Sequence, residues 1–196
     1  SLSVVAMGSH AVAEAIAEYR CDLGIVFGSS PRADLLELAQ MSQPLCAVVS
    51  PSHPLARQSR CTLAEVAAYQ VVLPDRSFGI RQLVDRVSAN AKFTLKKAVE
   101  TNTLAFAQRL VMQSQNRVTF LPGDMVLPEI EAGMLVAVPL SDSALRKTRV
   151  TLVAGTTRKL SQAARHLARH LSEYMKANDA AMRTQVRSSA RGSRLD

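Results

Sequence analysis

Short apolar runs alternate with helically spaced segments along most of the chain, and no other feature constrains its fold as tightly. Residues 2–7 and 23–27 read as strands, with residues 11–19 as a helix between them. Residues 44–50 form another strand candidate, because Leu45, Cys46, Val48 and Val49 are apolar. A short helix over 63–67, a strand over 70–73 and a helix over 81–89 follow. Residues 93–100 then read as a strand and 103–113 as a helix, with Leu104, Ala107, Leu110 and Val111 on one face. Strands at 118–121, 135–138 and 149–154 surround a helical turn at 128–132 that Gly133 closes. The last apolar periodicity, Ala164, Leu167, Ala168, Leu171, Tyr174 and Met175, predicts a helix over 161–176. Such alternation implies an α/β fold with substantially parallel sheet.

At 196 residues the chain is one domain or two small lobes, and its 47% hydrophobic content suffices for a sizeable core. No run of 18 apolar residues is present, so no membrane span is expected. The stretch Ser1–Met7 has no basic segment followed by a long apolar one, so no secretory signal is expected either. Three cysteines, Cys21, Cys46 and Cys61, lack metal-ligand spacing and suit a reduced, cytoplasmic protein. Cys46 and Cys61 are read as buried inert thiols, with redox sensing as the alternative. The net charge of +8 is local: residues 146–196 hold 12 of the 24 Lys and Arg but only 3 of the 16 acidic residues. Residues 178–196, with Arg183, Arg187, Arg191 and Arg194, read as a basic flexible tail. The body is near neutral, which argues against a basic face built to read nucleic acid, and binding through the tail would be non-specific.

Few residues carry chemistry. Gly8-Ser9 stands between a strand end and a helix start, where free N–H groups and a hydroxyl suit an anion; otherwise Ser9 is simply an N-cap. His10, beside it, is a lesser candidate. Ser77-Phe78 lies in the loop after the 70–73 strand and offers a hydroxyl with an aromatic wall, or else turn chemistry and a core Phe. Thr101 and Asn102 either face a ligand or cap the helix that follows. His166 and His170 share a helix face but find no third ligand, and His53 sits in a Pro-bounded loop with a structural role. No metal or cofactor is implied. Neither G-x-S-x-G, a P-loop nor G-x-G-x-x-G occurs, so no enzyme is expected.

Five passages, in order, resemble LysR-type transcriptional regulators. Ser50-Pro51-Ser52-His53-Pro54-Leu55-Ala56, with Cys61-Thr62-Leu63-Ala64-Glu65-Val66, looks like the family's "HPLA" passage and the helix after it. Gly8-Ser9 with Cys21-Asp22-Leu23-Gly24-Ile25-Val26 looks like its "LDLAI" segment. Glu100-Thr101-Asn102-Thr103, Val118-Thr119-Phe120-Leu121-Pro122 and Gly133-Met134-Leu135-Val136 match three more passages. The resemblance, over residues 2–176, implies a two-lobed type 2 periplasmic-binding-protein-like α/β fold with mixed, mostly parallel sheets and two crossover strands. Lobe I would be 1–45 and 147–177, lobe II 46–146, with the effector in the cleft between them. It also supports Ser9 as an effector contact, beside the candidates His10, Ser77, Phe78, Thr101 and Asn102 read from the residues themselves; Arg117 either makes an unusual cleft contact or marks a rebuilt turn. Two departures stand out: the family's first strand and helix, which precede the passage matched by residues 2–7, have no counterpart, and Arg117 replaces its usual Gly. The implied function is sensing a small, anionic metabolite to control transcription, the alternative being a solute-binding protein of a transport system. The implied partners are that effector, a second copy within the full-length homo-oligomer, and promoter DNA contacted through an absent N-terminal domain.

Overall fold

The computed structural model describes residues 2–28 and 32–192, with side chains described as far as Asp179. The chain falls into two compact units, one made of residues 1–42 and 149–196, the other of 43–148.

The first unit holds α1 (Ser9–Ala17), β1 (Leu23–Phe27), β2 (Leu35–Ser42), β8 (Arg149–Gly155) and α7 (Gln162–Gly192). Its sheet has the order β1-β8-β2, and both pairings are antiparallel. Helices cover both faces. Ala13 and Ile16 of α1 pack with Val26, Leu35 and Val153, while Met175 and Leu171 of α7 pack with Ala39 and Leu152. A central strand covered on both sides reads as a continuous apolar run, and Leu152-Val153-Ala154 is one. The close seating of α1 on β1 explains Gly24, where a Cβ would lie 2.4 Å from Val12 Cγ1.

The second unit contains β3 (Leu45–Val49), α2 (Leu63–Val66), β4 (Gln70–Pro74), α3 (Gly79–Asn90) and β5 (Lys96–Thr101). It continues with α4 (Leu104–Met112), β6 (Arg117–Pro122), α5 (Leu127–Glu131), β7 (Val136–Pro139) and α6 (Ser143–Arg146). The sheet order is β5-β4-β6-β3-β7. β4 is parallel to β5 and β6, while β3 is antiparallel to β6 and β7. α3 connects β4 to β5, and α4 leads from β5 back past β4 to β6. Val48, Val71, Val72, Val118 and Phe120 are wholly buried between the layers.

Three expectations need correcting, and one strand has no counterpart in the sequence reading. The second unit's sheet is mixed and the first unit's is antiparallel, so only two of the six pairings are parallel. The reason is topological: the chain leaves the first unit along β2 and returns along the neighbouring β8, so these two must run in opposite directions. Residues 2–7 form no strand; they have no ladder partner, and Leu2, Val4 and Val5 are exposed. β2 escapes sequence reading because Leu35-Leu36-Glu37-Leu38-Ala39-Gln40-Met41 is made of good helix formers; pairing to β8 overrides that preference. The stretch expected to be a flexible tail from 178 continues α7 to Gly192. Extending an existing helix needs no new nucleus, and Ala180, Ala181, Met182, Arg183 and Gln185 favour it. Arg194 lies outside the described residues.

Candidate functional site

In the second unit the parallel strands β4 and β5 end side by side, with Pro74 in register with Thr101. Each is followed by a tight turn and then a helix. The Asp75–Gly79 turn is shaped by its own polar groups. Asp75 Oδ1 accepts from the Ser77 N–H at 2.8 Å, the Asp75 carbonyl accepts from the Phe78 N–H, and the Asp75 N–H donates to the Thr101 carbonyl at 2.9 Å. The Ser77 side chain is exposed and Phe78 is partly buried at the start of α3. On the neighbouring turn, Thr101 Oγ1 accepts from the Thr103 N–H at 3.1 Å and Asn102 Oδ1 from the Thr103 hydroxyl at 3.2 Å. Ser77, Phe78, Thr101 and Asn102 are thus brought to one end of the sheet. Arg117 is not: it opens β6 opposite Gln70, the first residue of β4, at the other end of the same strands.

Both helix starts at this end are open. Phe78 precedes α3 and Thr103 precedes α4, yet neither supplies a side-chain cap, and neither helix carries an acidic residue in its first turn. The first backbone N–H groups of both helices therefore project without a partner from their own side chains. By contrast, α2 is closed by a full capping box, in which Thr62 Oγ1 accepts from the Glu65 N–H and Glu65 accepts from the Thr62 N–H.

In the first unit Gly8, not Ser9, occupies the N-cap position of α1, again with no side-chain cap and no acid in the first turn. Ser9 Oγ accepts from the Phe27 N–H at 3.0 Å and so ties the helix start to the end of β1. The chain then turns at Gly28, whose φ of +87° favours glycine; the Gly28 carbonyl accepts from the Thr151 hydroxyl at 2.8 Å. His10 is exposed, with Nε2 3.3 Å from Glu14.

Sequence reading missed Arg81, which is 4% exposed on the packed face of α3. Its Nε donates to both oxygens of Asp85 at 2.9 Å, and one terminal nitrogen donates to the Pro74 carbonyl at 3.0 Å and to Glu100 at 2.8 Å. Lys97 also donates to Glu100, and together the two cations hold its carboxyl down to about 2. The overlooked signal was an Arg at helical spacing with the apolar Val84.

The sequence model of the LysR substrate binding domain matches residues 1–176. The chain belongs to that family. As a LysR substrate-binding domain it is an effector-sensing regulatory domain, and the transport reading is set aside. The family is one of transcriptional regulators rather than catalysts. Among relatives, the HTH-type transcriptional regulator BbuR of Bordetella bronchiseptica is 26% identical over 145 residues, covering 74% of this chain and 44% of BbuR. The HTH-type transcriptional regulator YeiE of Escherichia coli is 26% identical over 134 residues, covering 67% of this chain and 45% of YeiE. The chain thus spans less than half the length of the curated relatives it matches. Among solved structures, the effector binding domain of QuiR in complex with shikimate superposes with a TM-score of 0.73 at 18% identity, covering 87% of this chain and 79% of that one. The regulatory domain of Synechocystis PCC6803 CcmR in complex with 2-PG gives 0.72 at 15% identity, covering 86% and 80%. At such identities these two establish the fold.

Other candidate chemistry finds structural roles. His53 is buried, its Nδ1 accepts from the Leu55 N–H at 3.1 Å, its ring lies 4.5 Å from that of Tyr69, and burial lowers its pKa. Burial pushes the Cys46 thiol up to about 11 and Cys61 to about 12, which disfavours the reactive thiolate. Cys46 pairs with Pro139, and Cys61 bridges Leu140 from the other side of that strand. Two strand spacings of about 4.8 Å separate their backbones by more than the roughly 7 Å a disulfide spans. Among the described residues no group of His, Cys, Asp and Glu is placed to hold a metal, and no helix is long and apolar enough to cross a membrane.

Proposed function

We propose that this LysR substrate-binding domain senses a small anionic metabolite through Ser77, Phe78, Thr101 and Asn102 in the second unit. One observation carries the reading: α3 and α4, the two helices these residues introduce, lack both side-chain caps and first-turn acids and start side by side beyond the ends of β4 and β5. Unpartnered N–H groups at the positive end of a helix dipole are complementary to carboxylate or phosphate. The Ser77 hydroxyl, exposed and free of the turn's own bonds, adds a donor. The anions held by the QuiR and CcmR domains are in keeping with this chemistry. Arg117, which opens β6 at the other end of the same strands, does not enter this proposal, nor do Ser9 and His10 of the first unit.

In the whole regulator, a cytoplasmic homo-oligomer, binding biases the conformation of this domain and so the promoter contacts of a helix-turn-helix domain outside this chain. The role is one of binding and not of catalysis. Calorimetric titration of the chain with a panel of small carboxylates, shikimate included, tests it. At least one should bind saturably, and Ser77→Ala should weaken that binding by about 10- to 150-fold, the worth of a hydrogen bond to a charged group. Binding unchanged in Ser77→Ala refutes the assignment.

A further inference from the structure

We infer that Arg81 is a positioning residue, the brace that fixes the Asp75–Gly79 and Thr101–Thr103 turns relative to each other. The inference rests on the reading that these turns hold the effector. A guanidinium buried to this degree is costly unless its donors are satisfied, and replacing such a cluster with apolar packing often costs no stability. Stability alone therefore gives little reason to keep it.

What Arg81 joins gives a better one. Its acceptors are the last carbonyl of β4, the Glu100 carboxylate next to the last residue of β5, and Asp85 one turn along α3. The first two lie directly before the two turns, and Arg81 itself stands in the first turn of α3. Asp75 and Thr101 shape each turn from within, but neither helix start is fixed by a side-chain cap, so these local bonds do not set one turn against the other. Apart from the strand ladder, the direct ties between them are the Asp75 N–H to Thr101 carbonyl bond and the Arg81 fork. A cation in the first turn of a helix opposes the dipole. Here it is neutralised from the side by Asp85 and Glu100, which leaves the N–H groups at the helix end free for an anion. Glu100 is partly exposed and is shared with Lys97, so the brace extends to the edge strand β5.

Hydrogen exchange in the ligand-free chain tests this. Glu100→Gln keeps the size of the side chain and removes its charge; it touches neither Ser77 nor Phe78. Exchange at the amides of Asp75, Ser77 and Phe78 should accelerate by about tenfold or more, the lower end of a charged hydrogen bond, while Val48 and Val118 keep their rates. Arg81→Met should accelerate exchange at Thr103 as well. Adding Glu100→Gln to Arg81→Met should change these amides no further, because both act through one fork. Unchanged turn amides in Glu100→Gln overturn the proposal. So does uniform acceleration across residues 43–148 in both variants, which is loss of stability without positioning. No ligand enters the measurement, so its failure leaves the effector reading standing, and a failed carboxylate titration leaves the brace standing.

Discussion

Two helix starts in the same unit are built in opposite ways. At α2 the chain closes its own helix, with Thr62 and Glu65 exchanging bonds with each other's backbone. At α3 and α4 the preceding residues are Phe78 and Thr103, the first turns hold no acid, and no side chain caps either helix. All three helices have an extended residue at the N-cap, so backbone conformation there does not explain the difference; position does. The open starts lie together beyond the ends of β4 and β5, where Pro74 and Thr101 are in register. A chain able to write a capping box at residue 62 has left out that chemistry where an anion would complete it.

The contrast can be broken by writing a cap where there is none. Thr103→Asp places a carboxylate at the N-cap of α4. It should raise stability by up to about 1 kcal/mol and weaken carboxylate binding by more than about tenfold, through like-charge repulsion and the loss of free donors. Thermal unfolding and calorimetry on one sample read both, and a variant that gains stability and keeps its affinity breaks the comparison. Next in size, Thr62→Ala removes the closed cap and should cost about 1 kcal/mol while carboxylate affinity stays the same. Equal loss of affinity would mean that the two kinds of helix start do not differ in role.

The smallest effect concerns the short 3-10 helix Pro54–Arg57, whose N-cap His53 accepts at Nδ1 from the Leu55 N–H. Burial lowers the folded pKa of His53 below 6.5, so the unfolded chain takes up the proton first. Stability should be full above about pH 6.5 and decline as pH falls through the folded value, because protonation removes the acceptor. His53→Asn caps with an oxygen that does not titrate, so its melting temperature should fall less over that window. Parallel acid profiles for the two proteins would show that His53 is not the titrating cap.

The sequence makes some of this legible and hides the rest for physical reasons. Strands covered on both faces, such as Val71-Val72-Leu73 and Leu152-Val153-Ala154, are apolar throughout and stand out, as does the apolar periodicity of α7. β2 does not, because its residues prefer helix and only a partner distant in sequence makes it a strand. Residues 2–7 look like β1 in composition and differ from it only in lacking a neighbour to pair with. Ser77 and Thr101 could be singled out because each follows a strand and precedes a helix. That Arg117 stands at the far end of those strands was invisible, since strand direction and register belong to the assembled sheet. Arg81 was passed over because an Arg in a helix usually faces water, and its carboxylate partner Glu100 is 19 residues away.

The central claim is that the adjacent uncapped starts of α3 and α4 form the anion site of this LysR domain. Residue-resolved amide shifts during titration with a bound carboxylate test it most directly. The account predicts saturable shifts at residues 79–81 and 104–106, with those of α2 at 63–65 unmoved. Shifts at 63–65 as large as those at 79–81 and 104–106 would contradict it.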